Sequence, residues 1–244
     1  MTDICADIET SSIAYARRFA GPSGQWFLEV QRRGIETLLS GLAFSSVADV
    51  GGGHGQLLPF FFDRGCSTTI VGSAQVCDLQ LQEFLKRGGC QFVVSPLHQL
   101  PFEAASFDLV SSIRLLAHFP EWQDLIRELC RISRRYVLVD FPQRASVNFL
   151  SPLLFPVKRR IEGDTRPYQL FLRSEVVKAF AANGFRPLAH YGQFLLPMAL
   201  HRKLNRPRLS RFIETVGTSL GLTSFLGSPV LSLFEREATQ EASD

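Results

Sequence analysis

Residues 45–60, SSVADVGGGHGQLLPF, run a short apolar stretch into four glycines within five positions, and then into a second apolar stretch. Glycine has no Cβ, so the chain can turn through positive φ and another group can approach the main chain closely. A strand that enters such a turn and leaves it as a helix forms the ligand-binding corner of an open parallel sheet. This feature constrains the fold most, because it demands further parallel strands beside the first.

The chain supplies them. SVADV (46–50), TTIV (68–71), QFVV (91–94), FDLVSS (107–112) and YVLVD (136–140) are short runs rich in Val, Ile and Leu, the composition of strands buried on both faces. Helical stretches separate them. EWQDLIRELCRIS places Trp122, Leu125, Ile126 and Leu129 on one face behind Pro120, and VCDLQLQEFLKRGG predicts a single helix stopped at Gly88-Gly89. SEVVKAFAANGF predicts a helix with Ser174 as N-cap, and LAHYGQF and PVLSLFE predict two late strands. The expected fold is therefore α/β, with helices on both faces of a mostly parallel sheet. One domain over 1–244 is expected, with a Pro-interrupted cap at about 143–173 and a basic helical insertion at about 200–226.

Bulk properties narrow the function. The net charge of +3 is too small to imply a nucleic-acid partner, and the 21 phenylalanines suit an aromatic-lined pocket. Five scattered cysteines show neither CxxC nor zinc-like spacing, so reduced thiols and no metal are expected. The opening MTDICADIET lacks the basic-then-apolar order of a secretory signal, and a cytoplasmic protein is expected. In 201–212, His201, Arg202, Lys203, Arg206, Arg208 and Arg211 precede Phe212. That order suits either a peripheral membrane contact or an ordinary solvated helix face.

Two phosphate-binding readings of the glycine loop fail. A P-loop needs Lys and then Ser or Thr after its last glycine, and Gln56-Leu57 follow Gly55. The dinucleotide fingerprint needs Gly or Ala where Gln56 stands, and an acid about twenty residues on. What remains is Asp49-x-Gly51-x-Gly53-x-Gly55.

That pattern resembles the first motif of class I S-adenosylmethionine-dependent methyltransferases. LPFEAASFDLVSSIRLLAHFPEWQDLIRELCRISRRYVLVDFP resembles the fourth-strand region of their small-molecule, ubiquinone-pathway-like branch. The resemblance implies a Rossmann-like seven-stranded sheet whose last strand is antiparallel, S-adenosylmethionine as cofactor, S-adenosylhomocysteine as product and a small-molecule acceptor. It places Asp49, Gly51, Gly52, Gly53, Gly55, Gly72, Ser73, Pro96, Leu97 and Ser112 at the cofactor, with Tyr15 and Arg18 reaching it from an N-terminal lid over about 1–30. His118 becomes the candidate base and Arg114 a holder of an anionic acceptor, unless it pairs with Glu121 or Asp124. Arg166 and Tyr168, in the cap, would face the acceptor. The Phe content favours an apolar, quinone- or lipid-like acceptor.

Two expected carboxylates are missing. The family's second strand ends in an acid for the ribose hydroxyls, and here Gly72-Ser73 occupy that point; Ser73 or Gln75 would have to serve. After the third strand Pro96 stands where an acid meets the adenine amine, leaving the Leu97 N–H. A non-catalytic binding or regulatory relative, and an enzyme using the cofactor for another reaction, are the competing readings.

Overall fold

The structure, a computed structural model, describes residues 6–146 and 168–238. Seven strands form one sheet: β1 (Ser46–Val50), β2 (Ser67–Gly72), β3 (Gln91–Val94), β4 (Phe107–Ser112), β5 (Ser133–Phe141), β6 (Phe185–Gly192) and β7 (Val230–Arg236), in the order β3-β2-β1-β4-β5-β7-β6. β1 to β5 pair in parallel, while β7 runs antiparallel to both β5 and β6. The sheet is the mostly parallel, seven-stranded one the sequence predicts, with its antiparallel strand last in the chain.

The pleat sorts the side chains. Val47 faces a cluster with Ile35, Leu38 and Phe61 from α3 (Gly21–Leu38) and α4 (Leu58–Asp63). Ala48 and Val50, one residue out of phase, face Leu125, Ile126 and Leu129 of α6 (Trp122–Ile132). Each such Leu or Ile, fully withdrawn from water, contributes about 1.5–3 kcal/mol. At the opposite end of the sheet from the glycine loop, Asp108 ties β4 to β1. Its Oδ2 accepts the Ser45 and Ser46 N–H groups at 3.0 and 3.1 Å.

Two predicted helices change. The segment after β2 is a 3-10 turn at Gln75–Asp78 followed by a short α5 (Gln82–Lys86), because Asp78 turns inward at 9% exposure instead of continuing a helix face. The helix predicted at 174 starts one residue earlier, as α7 (Arg173–Ala181). Its N-terminus is held by Glu175, whose carboxylate accepts the Leu172 N–H at 2.8 Å, so Ser174 is not the cap. Before β1, α1 (Ala6–Thr10) and α2 (Ile13–Ala16) lead into α3. Between β6 and β7 the insertion is three helices, α8 (Met198–Leu204), α9 (Pro207–Ser219) and α10 (Leu222–Leu226), broken by left-handed Asn205 and Gly221.

The cap predicted at 143–173 lies mostly in 147–167, outside the described residues, as does Arg166. Among the described residues no helix is long and apolar enough to cross a membrane, no metal-binding cluster forms, and Cys66, Cys77, Cys90 and Cys130 are buried free thiols.

Candidate active site

Strand order reverses between β1 and β4, each continuing into a different crossover, and the crevice at their carboxyl ends is where such sheets bind ligands. Asp49 sits there at 1% exposure. Its Oδ1 accepts the Ser111 hydroxyl at 2.7 Å, and its Oδ2 has no partner. Burial raises its pKa to about 7 against the lowering effect of Ser111. Gly52 must be glycine, because a Cβ there would stand 2.1 Å from Asp49 Oδ2. Gly51 turns at φ +75° beneath Leu115, and Gly55 at φ +67° beneath Leu81.

Around this loop lie further buried polar atoms without partners among the described residues: Ser112 Oγ, Gln31 Nε2, Arg114 Nη1 and Ser11 Oγ. They join through contacts. Arg114 Nη2 donates to Gln31 Oε1, and Ser11 Oγ would lie 2.3 Å from a Cβ on Gly53. An unsatisfied buried polar group costs about 1–3 kcal/mol, so a cluster of them at one point marks a place for a polar ligand.

Arg114 itself is held in left-handed backbone at φ +64°, with its N–H donated to Asp140 Oδ1 at 2.5 Å. Strain of this kind, about 1–3 kcal/mol, persists where the surroundings enforce it. The guanidinium stacks 4.0 Å over the Phe19 ring and adjoins the Tyr15 hydroxyl. It pairs with neither Glu121 nor Asp124; Asp124 is engaged by Arg127. Burial raises the pKa of Asp140 to about 6, opposed by the N–H and charge of Arg114. His54 is buried with Nδ1 accepting the Gln56 N–H; burial first, then the Arg114 charge, lowers it to about 3. It is neutral, a loop brace.

The second half of the site is different. At Gly72 a Cβ would lie 2.8 Å from both Cys77 Cβ and Phe92 Cζ, so no acid fits there. The space beyond is taken by Asp7 from α1. Asp7 is fully buried, accepting the Ser73 N–H at 2.6 Å, the Ser73 hydroxyl at 2.5 Å and the Cys77 thiol at 3.3 Å. Gln75 is turned away toward Asp78. Pro96 is exposed and Leu97 is 2% exposed beside the β3 end.

Of the lid residues, Tyr15 reaches Arg114, whereas Arg18 pairs with Glu9 at 3.3 Å and stacks on Tyr15. His118 closes the 3-10 turn Leu116–His118, half-buried. The described end of the cap meets that turn: Gln169 N–H donates to Ala117 O at 2.9 Å, and Tyr168 packs on the core. His201 is no part of a basic surface; it is buried, 2.8 Å from Glu214 and edge-on to Trp26. Sequence reading missed Asp7, Ser11, Gln31 and Asp140. Only Ser111-Ser112 carried a signal, as two hydroxyls ending an otherwise apolar strand.

Residues 48–137, from the Asp49 strand to the middle of β5, match the family described as a methyltransferase domain. The matched segment carries the glycine loop and β1 to β4, and in that part the chain is similar to S-adenosylmethionine-dependent methyltransferases. A curated relative, malonyl-[acyl-carrier protein] O-methyltransferase of Enterobacter lignolyticus (strain SCF1), is 29% identical over 131 residues, 52% of this chain and 51% of that protein. The chain thus spans about half the length of the curated relative it matches. Magnesium protoporphyrin IX methyltransferase from Synechocystis PCC 6803, solved with SAH bound, superposes at TM-score 0.62 and 15% identity over 95% of this chain and all of that one (100%). An S-adenosylmethionine dependent methyltransferase from Mesorhizobium loti gives 0.62 at 13% identity, over 86% and 100%. The [4+2]-cyclase SpnF gives 0.55 at 16% identity, over 88% and 80%. At these identities the three structures show a shared fold.

The methyltransferase cofactor is S-adenosylmethionine, and the residues present fit it. The unpartnered Asp49 Oδ2 on a bare glycine backbone suits the cationic methionine end, and the unpartnered Arg114 Nη1 suits a carboxylate.

Proposed function

We propose that this methyltransferase methylates a small, largely apolar acceptor, quinone- or lipid-like, at the carboxyl end of β4. The reading rests on the cluster of unpartnered buried polar atoms around the glycine loop, beside which the Phe19 ring carries the Arg114 guanidinium. When bound, S-adenosylmethionine would supply an electrophilic sulfonium methyl group, to which an incoming nucleophile bonds in line as the thioether leaves. The chain's contribution is alignment and exclusion of water. Asp49 and the glycines fix the methionine end, Leu97 borders the adenine, and His118 takes the proton that a hydroxyl or acidic carbon loses.

A second acceptor class, a carboxylate, is favoured by the half-buried Arg114 and by the name of the curated relative. A carboxylate needs no base, so the two readings separate on His118→Ala. It abolishes transfer to a hydroxyl acceptor and spares transfer to a carboxylate. Calorimetry with S-adenosylmethionine and S-adenosylhomocysteine tests the activity itself. Lack of binding of either at millimolar ligand would leave the fold as a binding module; binding with consumption but no methylated product would indicate another use of the cofactor.

For delivery of such an acceptor, we propose that α8 to α10 rest on an anionic bilayer. The face of α9 turned into the protein carries Ser210, Glu214 and Gly217, while Leu209, Phe212, Val216 and, just beyond the helix, Leu220 point outward. Phe212, Leu220 and Phe225 are 67%, 68% and 74% exposed. Lys203, Arg206 and Arg208 rim them, exposed, and Glu214 is the segment's single acid over 197–229 and is buried. Bulky apolar groups within a basic rim fit acidic headgroups over acyl chains. A second copy would oppose like charges.

A further inference from the structure

The end of β2 has no acid and no room for one, yet a carboxylate stands beside it. We infer that Asp7, carried by the N-terminal helix α1, is the group that receives the cofactor's ribose hydroxyls, so that the lid completes the binding site instead of merely covering it. The inference rests on the cofactor assignment above.

Three observations carry it. Asp7 is tied to β2 by the Ser73 N–H, at 2.6 Å to Oδ2, which fixes its carboxylate at the strand end. The Ser73 hydroxyl, at 2.5 Å, takes the face of Oδ1. Ser73 is half-buried, and its hydroxyl is a rotor that can swing away and leave Oδ1 to a ribose hydroxyl. A carboxylate has about four acceptor sites, and the Ser73 N–H, Ser73 O–H and Cys77 S–H use three. Finally, Ser11 at the end of the same turn is buried, with its Oγ on the Gly53 backbone and beside Cys77, unpartnered by good geometry. Gln80 holds that turn in place, donating its amide to Ser11 O at 2.6 Å. The N-terminal segment therefore brings one carboxylate and one hydroxyl to the strip between the glycine loop and β2.

The test is calorimetry of the full chain with S-adenosylhomocysteine and with its 2′-deoxy and 3′-deoxy analogues. In the wild type, removal of a ribose hydroxyl is expected to weaken binding roughly tenfold or more. In Asp7→Asn, S-adenosylhomocysteine falls to the level of the deoxy analogues, so that discrimination disappears; in Ser73→Ala, which frees Oδ1, discrimination persists. Thermal melts without ligand separate loss of fold from loss of the contact. Equal wild-type affinity for all three ligands overturns the inference without any variant. It is likewise overturned if Asp7→Asn keeps the discrimination, or binds tighter because α1 had only been a plug. Failure of the wild type to bind S-adenosylhomocysteine at all removes the cofactor assignment instead.

Discussion

The two halves of the site, one at β1 and β4 and the other at β2 and β3, are built on opposite plans. At β1 and β4 the strands deliver their own polar groups: Asp49, Ser111 and Ser112 end apolar runs, and register pairs Asp49 with Ser111 across the ladder. At β2 and β3 the strand ends offer Gly72, Ser73 and Pro96, and the carboxylate arrives from residue 7, sixty-six positions from its partner in the chain. The first half is local and rigid, whereas the second depends on the docking of a five-residue helix. A charge absent from a strand end can stand beside it on another element, as Asp7 stands beside Ser73.

The largest effect is expected at Asp49. Asp49→Asn is expected to lower affinity for S-adenosylmethionine about 10- to 100-fold, the loss of one charge-assisted contact of about 1.5–3 kcal/mol, by calorimetry at pH 8. Retained affinity would mean that the β1 half is no more essential than the β2 half.

The pH profile sharpens the same contrast. Asp49 holds its proton up to about pH 7 in the free protein, and the ionised form is the one that receives a cation. Affinity should therefore rise with pH, up to tenfold per unit below 7 before levelling off. Stability runs the other way. With the folded pKa raised above the unfolded value, the native state holds more protons between about pH 4 and 7, so burial of Asp49 weakens the fold as pH rises through that window. Asp49→Asn should flatten that part of the melting curve, leaving the smaller slope from Asp140, whose pKa is about 6.

A smaller effect is expected on restoring the strand-end acid. Gly72→Asp should not improve binding, because its Cβ meets Cys77 and Phe92 at 2.8 Å; overpacking should instead cost about 1–3 kcal/mol of stability, read by denaturant titration. Improved cofactor affinity with an unchanged midpoint would show that β2 can carry the acid after all. The smallest catalytic effect belongs to the outer face. The double change Phe212→Ser and Phe225→Ser should leave methylation of a dissolved acceptor unaltered, while reducing cosedimentation with phosphatidylglycerol vesicles several-fold. Unchanged cosedimentation would remove the bilayer contact.

The elements legible in the sequence were those whose signal is local. Five parallel strands announce themselves as apolar runs, although β3, at the sheet edge, is not buried as QFVV predicts, with Val94 47% exposed, and the glycine corner announces itself because bulk is forbidden where Gly52 meets Asp49 Oδ2 at 2.1 Å from a Cβ. Errors arose where a local rule met a tertiary demand. Asp78 turned inward and shortened the helix after β2, Glu175 displaced Ser174 as the group holding α7, and His201, read with a basic surface, was drawn into a buried pair with Glu214. Arg114 stands out in the sequence, yet its neighbours Gln31, Tyr15, Phe19 and Asp140 come from four other elements and have no sequence proximity to it.

By itself, then, the sequence determined the sheet, the glycine loop and the polar ends of β1 and β4, because backbone sterics and strand periodicity act over a few residues. The tertiary structure alone decided what faces Gly72. Side-chain packing by Cys77 and Phe92 closed that position to an acid, and the hydrogen-bonding need of the Ser73 N–H drew in Asp7 from the far end of the chain.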